Sequence, residues 1–246
     1  MADTPLLPLP GTFHEVSVAV PDVRASVEFY ERLGFTQAPT TDSFTHPYGV
    51  LTDGRLFIGV HQRTGPTPTL TFVRPGLAAS LAAYAAAGIE LTSCRMGEDV
   101  FNEIAFADPS GHAVAVLEAR TYSPIAPDAA GNSLCGEFAE VSLPVKDFVA
   151  AQAFWETLGF VATEEVRAPY RHLALTSDHL DLAFHDPHLC PQPMLVFREP
   201  GMVARIARLR EVGVTVGSAP GSAASPRDAL LQSPEGTALL LLDYPA

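Results

Sequence analysis

Residues 13–35 read FHEVSVAVPDVRASVEFYERLGF, and residues 138–160 read FAEVSLPVKDFVAAQAFWETLGF, so the sequence repeats itself at an offset of 125 residues. In the first copy the valines of VSVAV alternate with other residues, and a period of two predicts a strand whose valine side is packed. Asp22 then precedes apolar residues spaced three and four apart, the pattern of an N-capped amphipathic helix. Gly34 is placed to end that helix. The chain is therefore predicted to be a duplication that reads strand, helix and strand in each copy.

The remainder of each half predicts a second unit of the same kind. The Asp53-Gly54 pair predicts a hairpin, and residues 69–117 then predict a strand, an alanine-rich helix and a hairpin turned by the motif DPSG. Residues 194–242 repeat this order around the motif SPEG. Each half is thus predicted to hold two units, each made of a strand, a helix and three strands.

Length and the repeat offset together predict two domains. A chain of 246 residues fits one or two domains, and the offset favours two, each long enough to bury a core. The segment between the copies is rich in proline and small residues and lacks a period, as expected of a linker. We predict a first domain at residues 1–121, a linker at 122–134 and a second domain at 135–246.

The composition excludes several classes of partner. A formal net charge of −13 opposes association with a polyanion, so neither nucleic acid nor an anionic membrane surface is an expected partner. No apolar run approaches the ~20 residues that span a bilayer. The N-terminus is broken by prolines and lacks the basic region of a secretory signal, which favours a cytoplasmic location. The three cysteines are too far apart to predict a disulfide framework or a zinc site.

The motifs FYERLGF and FWETLGF, together with DPSG (108–111) and SPEG (233–236) before an apolar final strand, resemble the vicinal oxygen chelate superfamily. The resemblance covers nearly the whole chain twice. It implies an α+β fold of two tandem domains, each with two βαβββ units that form a curled, mostly antiparallel sheet with the helices outside. Glyoxalases, bleomycin-resistance proteins and extradiol dioxygenases share this scaffold, so it houses both enzymes and drug binders. In that superfamily the concave face holds the ligand, often around a divalent metal.

The resemblance also implies four metal-ligand positions in each half. The first is Glu15 or Glu140, provided that a slip in register does not turn His14 inward, which would push the valines off the core. The other three fall, in the first and second half respectively, on Gly59 or Ala183, Thr69 or Met194, and Ala115 or Leu240. Catalytic zinc or non-haem iron sites need about three ligands from His, Cys, Asp or Glu. One carboxylate in each half predicts no metal site, and no other cofactor is expected.

A glutamate and a histidine recur in both predicted concave faces. Glu15 with His61, and Glu140 with His185, are candidate catalytic acid–base pairs if the strands bring them within hydrogen-bond reach. The alternative is that both histidines lie in solvent at strand ends while the glutamates anchor neighbouring groups. Asp181 makes the second face the more polar, and the second is therefore the favoured site if one face is active.

Small side chains on the concave faces leave volume that favours an organic guest. The predicted ligand-binding residues are Phe57, Gly59, Thr69, Ala115, Asp181, Ala183, Met194 and Leu240. Among the aromatic residues, Trp155 is predicted to be part of the core. Five further histidines fall in or near predicted turns and are predicted to be solvated: His46, His112, His172, His179 and His188.

These observations support two main functional hypotheses. The leading one is a metal-independent protein that holds a small, partly apolar organic molecule in the concave sheet. The alternative is a glyoxalase-like lyase or isomerase, or a dioxygenase, that uses Glu15 or Glu140 as a base or as part of an unorthodox metal site. A scaffold that binds no small molecule is a third possibility. Four units in one chain are compatible with a monomer or a homodimer.

Overall fold

The computed structural model describes residues 8–39, 44–119, 133–221 and 227–243. The first half contains β1 (Thr12–Ala19), α1 (Val23–Arg32), β2 (Thr36–Gln37), β3 (Tyr48–Thr52), β4 (Phe57–His61), β5 (Thr69–Arg74), α2 (Leu77–Ala86), β6 (Leu91–Arg95), β7 (Glu103–Ala107) and β8 (Ala113–Glu118). The second half contains β9 (Glu137–Pro144), α3 (Phe148–Thr157), β10 (Val161–Val166), β11 (His172–Thr176), β12 (Asp181–His185), β13 (Met194–Glu199), α4 (Met202–Glu211), β14 (Gly217–Ser218), β15 (Ala229–Gln232) and β16 (Ala238–Asp243).

Each half builds one eight-stranded sheet from two βαβββ units. The strand order is β2-β3-β4-β1-β5-β8-β7-β6 in the first sheet and β10-β11-β12-β9-β13-β16-β15-β14 in the second. In each sheet two strand pairs are parallel, β1 with β4 and β5 with β8 in the first, and their counterparts in the second. The predicted α+β fold of two tandem, mostly antiparallel domains is confirmed. The proposed linker at 122–134 lies outside the described residues apart from its last two, so the domain boundaries stay a prediction.

The repeated stretch folds as its sequence predicts. The Asp22 carboxylate accepts the backbone N–H groups of the first turn of α1, and Asp147 caps α3 in the same way. The glycine after each helix has a positive φ, 90° at Gly34 and 95° at Gly159, which a side chain would disfavour. The valines of VSVAV are buried, with Val16 fully so. Local sequence signals therefore determine both ends of α1 and α3.

A β-bulge shifts the register of β1 against β5 just before the candidate glutamate. Phe13 lies opposite Phe72, but Glu15 lies opposite Thr71, so His14 is the extra residue on β1. The same shift occurs in the second half between β9 and β13. Because of the extra residue, Phe13 packs into the core on the same side as the valines while Glu15 still points to the opposite side. The predicted inward orientation of Glu15 thus holds, with a bulge that the sequence alone did not reveal.

The helices cover the valine side of each sheet and belong to one apolar core. Each of the four helices has ten residues. Phe29 and Tyr30 of α1 and Trp155 of α3 lie in the same buried cluster as the core strands of both halves. Trp155 is fully buried, which confirms its predicted place in the core. In the part of the chain that the structure describes, no helix is long and apolar enough to cross a lipid bilayer.

The two halves exchange contacts between a helix of one and a turn of the other. Ser26 and Tyr30 of α1 both donate hydrogen bonds to Glu235 of the SPEG turn, each at 2.7 Å. In the reverse direction, the indole N–H of Trp155 donates to Asp108 of the DPSG turn at 3.2 Å. The two motifs that signal the duplication therefore also join the two halves.

Candidate functional site

Each sheet has a side opposite its two helices, here called the first concave face (β1–β8) and the second concave face (β9–β16). On the first concave face, Glu15 lies beside Thr71 of β5, and Ser17 lies beside Gly59 of β4. The strand after β5 in the sheet, β8, presents small side chains at the same levels, namely Ala113 and Ala115. Polar groups thus occupy the centre of this face, next to the small side chains of Ala113 and Ala115.

Glu15, His61 and His46 form a hydrogen-bonded chain on the first concave face. The Oε1 atom of Glu15 lies 3.0 Å from Nε2 of His61, and Nδ1 of His61 lies 3.1 Å from Nε2 of His46. Ser17 donates a further hydrogen bond of 2.6 Å to Glu15 Oε1 and is itself within 2.8 Å of the Thr71 hydroxyl. Glu15 and His61 are only 4% and 2% exposed, whereas His46 is half-buried. The chain therefore runs from a buried carboxylate to a histidine near the surface.

The electrostatics of this chain favour an ionised glutamate and a neutral outer histidine. Burial alone would raise the pKa of Glu15, but the hydrogen bonds from His61 and Ser17 and the electrostatic influence of His61 and His14 together outweigh burial, so the pKa of Glu15 is lowered. Burial and the nearby charges of His61 and Arg63 lower the pKa of His46. Tyr48 stacks on His61, with ring centroids 5.7 Å apart and planes 8° apart, which fixes the orientation of that imidazole.

Glycine at position 59 is required by the position of the Glu15 carboxylate. A Cβ atom built on Gly59 would overlap the carboxyl group of Glu15, because that group lies directly over the glycine. In the resemblance-based alignment Gly59 is one of the positions that lack a metal ligand. The structure gives Gly59 another role. Because glycine has no side chain, the Glu15 carboxylate has space to reach His61.

The second concave face arranges the same residue types differently. Glu140 accepts a hydrogen bond from Arg198 at 3.1 Å and forms a partly buried ion pair with it. Nδ1 of His185 lies 2.8 Å from the Ser142 hydroxyl, and Nε2 lies 2.9 Å from the carbonyl oxygen of Cys190. Both ring nitrogens of His185 are thus occupied by other groups. The structure brings Glu15 and His61 together but does not join Glu140 to His185.

Burial shifts the pKa values of the second face toward the neutral forms. Burial raises the pKa of Glu140, and the opposing charge of Arg198 does not fully offset it. Burial also lowers the pKa of His185 to about 4. His185 is therefore neutral at physiological pH and acts as a structural hydrogen-bonding group.

Two sequence differences separate the two arrangements. Ala183 pairs with Ser142 as Gly59 pairs with Ser17, so the two residues hold equivalent positions. Ala183 is fully buried, and its methyl group occupies the place that the Glu15 carboxylate takes over Gly59 in the first half. Arg198, whose equivalent in the first half is Val73, supplies the cation that Glu140 contacts instead.

A cavity of about 620 Å³ opens on the second concave face. Its polar lining includes the Glu140–Arg198 pair and Asp181, which is exposed. Less polar lining is contributed by Phe138, Thr163, Ala174 and Thr176. Asp181 is thus the predicted ligand-binding residue that the structure places in the lining of this cavity.

The other predicted ligand-binding residues of the second half are covered by protein. Met194 and Leu240 are buried in an apolar cluster with Tyr170, Leu189 and Cys190, which come from the loops around the sheet. Ala183 is fully buried as well. Met194 and Leu240 therefore contact the protein itself, because these loops fold back onto β13 and β16.

The predicted ligand-binding residues of the first half differ in their surroundings. Phe57 packs in a small cluster with Ala38 and Val50, and Thr69 donates to the carbonyl oxygen of Pro66 at 3.1 Å. Ala115 is half-buried on β8. Phe57 and Thr69 are therefore engaged with the protein, and Ala115 lies at the edge of the polar centre.

Three of the five histidines predicted to be solvated are placed differently. His172 lies on β11, is only 4% exposed and directs Nδ1 to the carbonyl oxygen of Tyr170. His46 is bonded to His61, as described above. The predictions for His172 and His46 were wrong because each of the two continues the alternation of β11 or β3 and so faces the sheet. His112 is half-buried, and its Nε2 atom lies 3.0 Å from the carbonyl oxygen of Pro144. For His179 and His188 the predicted exposure is confirmed.

The residues present do not fit the divalent metal that the scaffold implies. Glu15 is bonded to His61 and Ser17, and His61 directs its two nitrogens to two different partners rather than to one common point. The second face offers an arginine beside its glutamate, and a guanidinium is no metal ligand. Among the described residues there is no group of three His, Cys, Asp or Glu side chains that could hold a metal ion. No chemical step is therefore assigned to a metal.

Comparison with solved structures finds likeness over nearly the whole chain. A mutant 4-hydroxymandelate synthase from Streptomyces coelicolor matches with a TM-score of 0.63 at 14% identity, over 95% of this chain and 92% of that one. Homoprotocatechuate 2,3-dioxygenase from Arthrobacter globiformis matches with a TM-score of 0.61 at 17% identity, over 98% and 82%. The Mn(II)-bound glyoxalase from Novosphingobium aromaticivorans matches with a TM-score of 0.60 at 14% identity, over 93% and 80%.

These comparisons identify the fold rather than the reaction. No protein-family model matches the sequence, and no curated protein matches it either. The solved structures include extradiol dioxygenases and a glyoxalase, the classes named by the sequence resemblance. The chain therefore has the fold of these dioxygenases and this glyoxalase, and its activity has to be argued from its own site.

Proposed function

We propose that the protein binds a small, partly apolar organic molecule without a metal, and that the second concave face is the binding site. The observation that carries the proposal is the cavity of about 620 Å³ over β9, β11 and β12. Small-molecule sites are commonly concave, roughly 300–1,000 Å³ in volume, with a few polar groups among apolar ones. The guest we propose combines an apolar body with a polar group that reaches Arg198 or Glu140.

The Glu140–Arg198 pair supports recognition of a polar group. Arg198 retains 32% side-chain exposure while it holds Glu140, so part of its guanidinium faces the cavity. A guanidinium binds carboxylate or phenolate oxygens in a fixed geometry, whereas a carboxylic acid or carboxylate accepts from amide and hydroxyl groups. The pair therefore offers both a donor and an acceptor to a guest.

The binding proposal is tested by filling the cavity. Small aromatic acids and amides are screened by thermal shift against the wild type, and each hit is titrated calorimetrically. In A174W, an indole occupies the cavity, so we expect the titration heat to vanish while E15Q, altered on the other face, binds as the wild type does. Equal binding by the wild type and A174W would refute the proposed location.

Metal independence has its own test. Elemental analysis of protein purified without chelator is expected to give less than stoichiometric zinc, nickel, iron and manganese. A stoichiometric metal that resists dialysis would contradict the proposal. The cytoplasmic location, and the choice between monomer and homodimer, stay predictions from the sequence.

The second candidate function is a metal-independent lyase or isomerase, and it is favoured by the contact between Glu15 and His61. A carboxylate held 3.0 Å from a buried imidazole is the usual arrangement of an acid–base catalyst. The variants E15Q and E140Q separate the two candidates once a ligand is known. An enzyme with its base on the first face loses turnover in E15Q while ligand binding persists, whereas a binder on the second face is affected by E140Q alone.

A further inference from the structure

The first concave face contains a chain of three titratable groups that the binding proposal does not use. We propose that this face is a separate, metal-independent proton-transfer site in which His46 is the general base and the ionised Glu15, acting through His61, positions His46 and stabilises its protonated form. The substrate class is a small carbon acid, a molecule with a C–H bond acidified by a neighbouring carbonyl group or ring. This inference does not depend on ligand binding by the second face.

Hydrogen-bond directions in the chain follow from the chemistry of its ends. An ionised Glu15 only accepts, so His61 donates to it from Nε2, and a neutral His61 then presents a bare Nδ1. That Nδ1 then accepts from Nε2–H of His46. Neutral His46 with its proton on Nε2 has its lone pair on Nδ1, which is its basic atom.

Proton uptake at His46 is balanced along the chain. A proton taken from the substrate C–H bond binds Nδ1 of His46, and the electron pair of that bond stays on the substrate. Protonated His46 keeps its Nε2–H bond to Nδ1 of His61, and His61 keeps its Nε2–H bond to Glu15. The carboxylate stays ionised and stabilises the positive charge on His46 through His61. Return of the proton to the substrate completes an isomerisation, with no other reactant needed.

The surroundings fix the chain and leave one end accessible. Glu15 is held by Ser17, and His61 is stacked on Tyr48, so the two inner members have defined positions. His46 is half-buried beside Phe44, with ring centroids 5.3 Å apart. The basic end is therefore the least buried residue of the chain and lies against an aromatic ring, while the carboxylate end is buried. The groups that influence the charge of the chain are His14 and Arg63, both basic.

The second concave face supplies an internal comparison. The position equivalent to His46 is Tyr170, which stands near His185 with ring centroids 6.4 Å apart. Since Nε2 of His185 is bonded to the Cys190 carbonyl oxygen, no continuous path leads from Tyr170 to Glu140. The hydrogen-bonded chain is thus confined to the half in which glycine stands at position 59.

The inference is tested with 5-nitrobenzisoxazole, a flat carbon acid that needs only a base. Removal of its C–H proton breaks the N–O bond and releases a coloured phenolate. We expect the wild type to exceed an equal concentration of imidazole, and H46Q to lower the rate on the order of 100-fold, the size of a general-base contribution. E15Q is expected to lower the rate less, because His46 is retained but the carboxylate that stabilises its protonated form is lost.

Controls separate this site from the rest of the molecule. H188Q, which removes an exposed histidine paired with Asp186, and H179Q, which removes a second exposed histidine, are expected to leave the elimination rate unchanged. Ring ¹⁵N shifts of the wild type are expected to place the His61 proton on Nε2. In E15Q this preference and the elimination rate are expected to fall together, whereas a merely structural role of Glu15 would leave the two unlinked. Equal rates for the wild type and H46Q, a rate no greater than that of imidazole, a loss of rate in H179Q, or a His61 proton on Nδ1 would each overturn the inference.

Discussion

The two concave faces carry the same residue types at equivalent positions but form different hydrogen bonds. Both carry a glutamate on the first strand of the half, a serine two residues later and a histidine at the end of the adjacent parallel strand. In the first half Glu15 bonds His61, whereas in the second Glu140 bonds Arg198 and His185 bonds Ser142 and a backbone carbonyl. The comparison shows that residue type at a repeated position does not determine its partner. The volume of the adjacent residue and the presence of a competing cation decide it.

The largest expected effect is removal of Arg198. The variant R198M leaves Glu140 buried without its cation, and we expect a loss of about 3 kcal/mol in the free energy of unfolding at pH 8. The loss shrinks in acid because a protonated Glu140 needs no cation. Chemical denaturation at both pH values measures it. R208M, which breaks an exposed pair with Glu211, is the control and is expected to change stability little. Equal losses of stability in R198M and R208M would contradict the dependence of the second face on the Glu140–Arg198 pair.

A second prediction concerns the glycine of the first face. G59A adds a methyl group that the Glu15 carboxylate must avoid, and we expect a cost of about 2 kcal/mol from the lost hydrogen bonds. In an E15A background the methyl group has room, so G59A is expected to cost almost nothing. The double-mutant cycle therefore predicts a coupling energy of about 1–3 kcal/mol between the two positions. Additive effects would show that the overlap does not govern the pairing of Glu15.

The pH dependence of the two glutamates is predicted to have opposite signs. The pKa of Glu15 lies below its ordinary value of 4.5, so its ionised form stabilises the fold above that pH and the contribution is lost as pH falls through the folded pKa. The pKa of Glu140 lies above 4.5, so its ionisation destabilises the fold as pH rises from 4.5 through the folded pKa. At pH 7 we expect E15Q to cost about 1–2 kcal/mol and E140Q to be neutral or slightly stabilising.

Denaturation of both variants between pH 4 and pH 8 measures this difference. The cost of E15Q is expected to fall toward acid pH, and the relative stability of E140Q is expected to rise toward neutral pH. Parallel curves for the two variants would mean that the two carboxylates share one environment.

The smallest expected effect is at Tyr170, the counterpart of His46. Its hydroxyl is buried and has no hydrogen-bond partner among the described residues, and burial raises the pKa of this phenol to about 12. Ser142 influences that pKa, but its hydroxyl is bonded to His185. Y170F removes an unsatisfied group, so we expect unchanged or slightly greater stability, within about 1 kcal/mol. A clear loss in thermal denaturation would indicate a hydrogen bond to this hydroxyl.

Local signals in the sequence predict most of the fold. Asp22 and Asp147 predict the helix starts, Gly34 and Gly159 predict the ends, and the valine alternation predicts which side of β1 is packed. Each signal acts within a few residues of the structure it determines. Because the sequence is duplicated, these signals occur in both copies, and the two copies support the same assignment.

The candidate site was less predictable because its partners are distant in sequence. Arg198 lies 58 residues from Glu140, and no periodic pattern connects them. Loop residues such as Tyr170 and Leu189 cover Met194 and Leu240. The composition of a loop does not predict how the loop packs. His46 was the missed residue with a usable signal: it has the same parity as Tyr48 and Val50, so extension of the β3 alternation by one step places it on the concave side.

The contacts exchanged between the halves limit how the chain can be rebuilt. Tyr30 and Ser26 use the third residue of SPEG as their acceptor, whereas Trp155 uses the first residue of DPSG. A protein assembled from two copies of the first half would offer Tyr30 a serine, Ser110, where Glu235 now stands. One assembled from two second halves would offer Trp155 the short hydroxyl of Ser233 in place of Asp108. The halves are therefore no longer interchangeable, and each is shaped to a neighbour of the opposite kind.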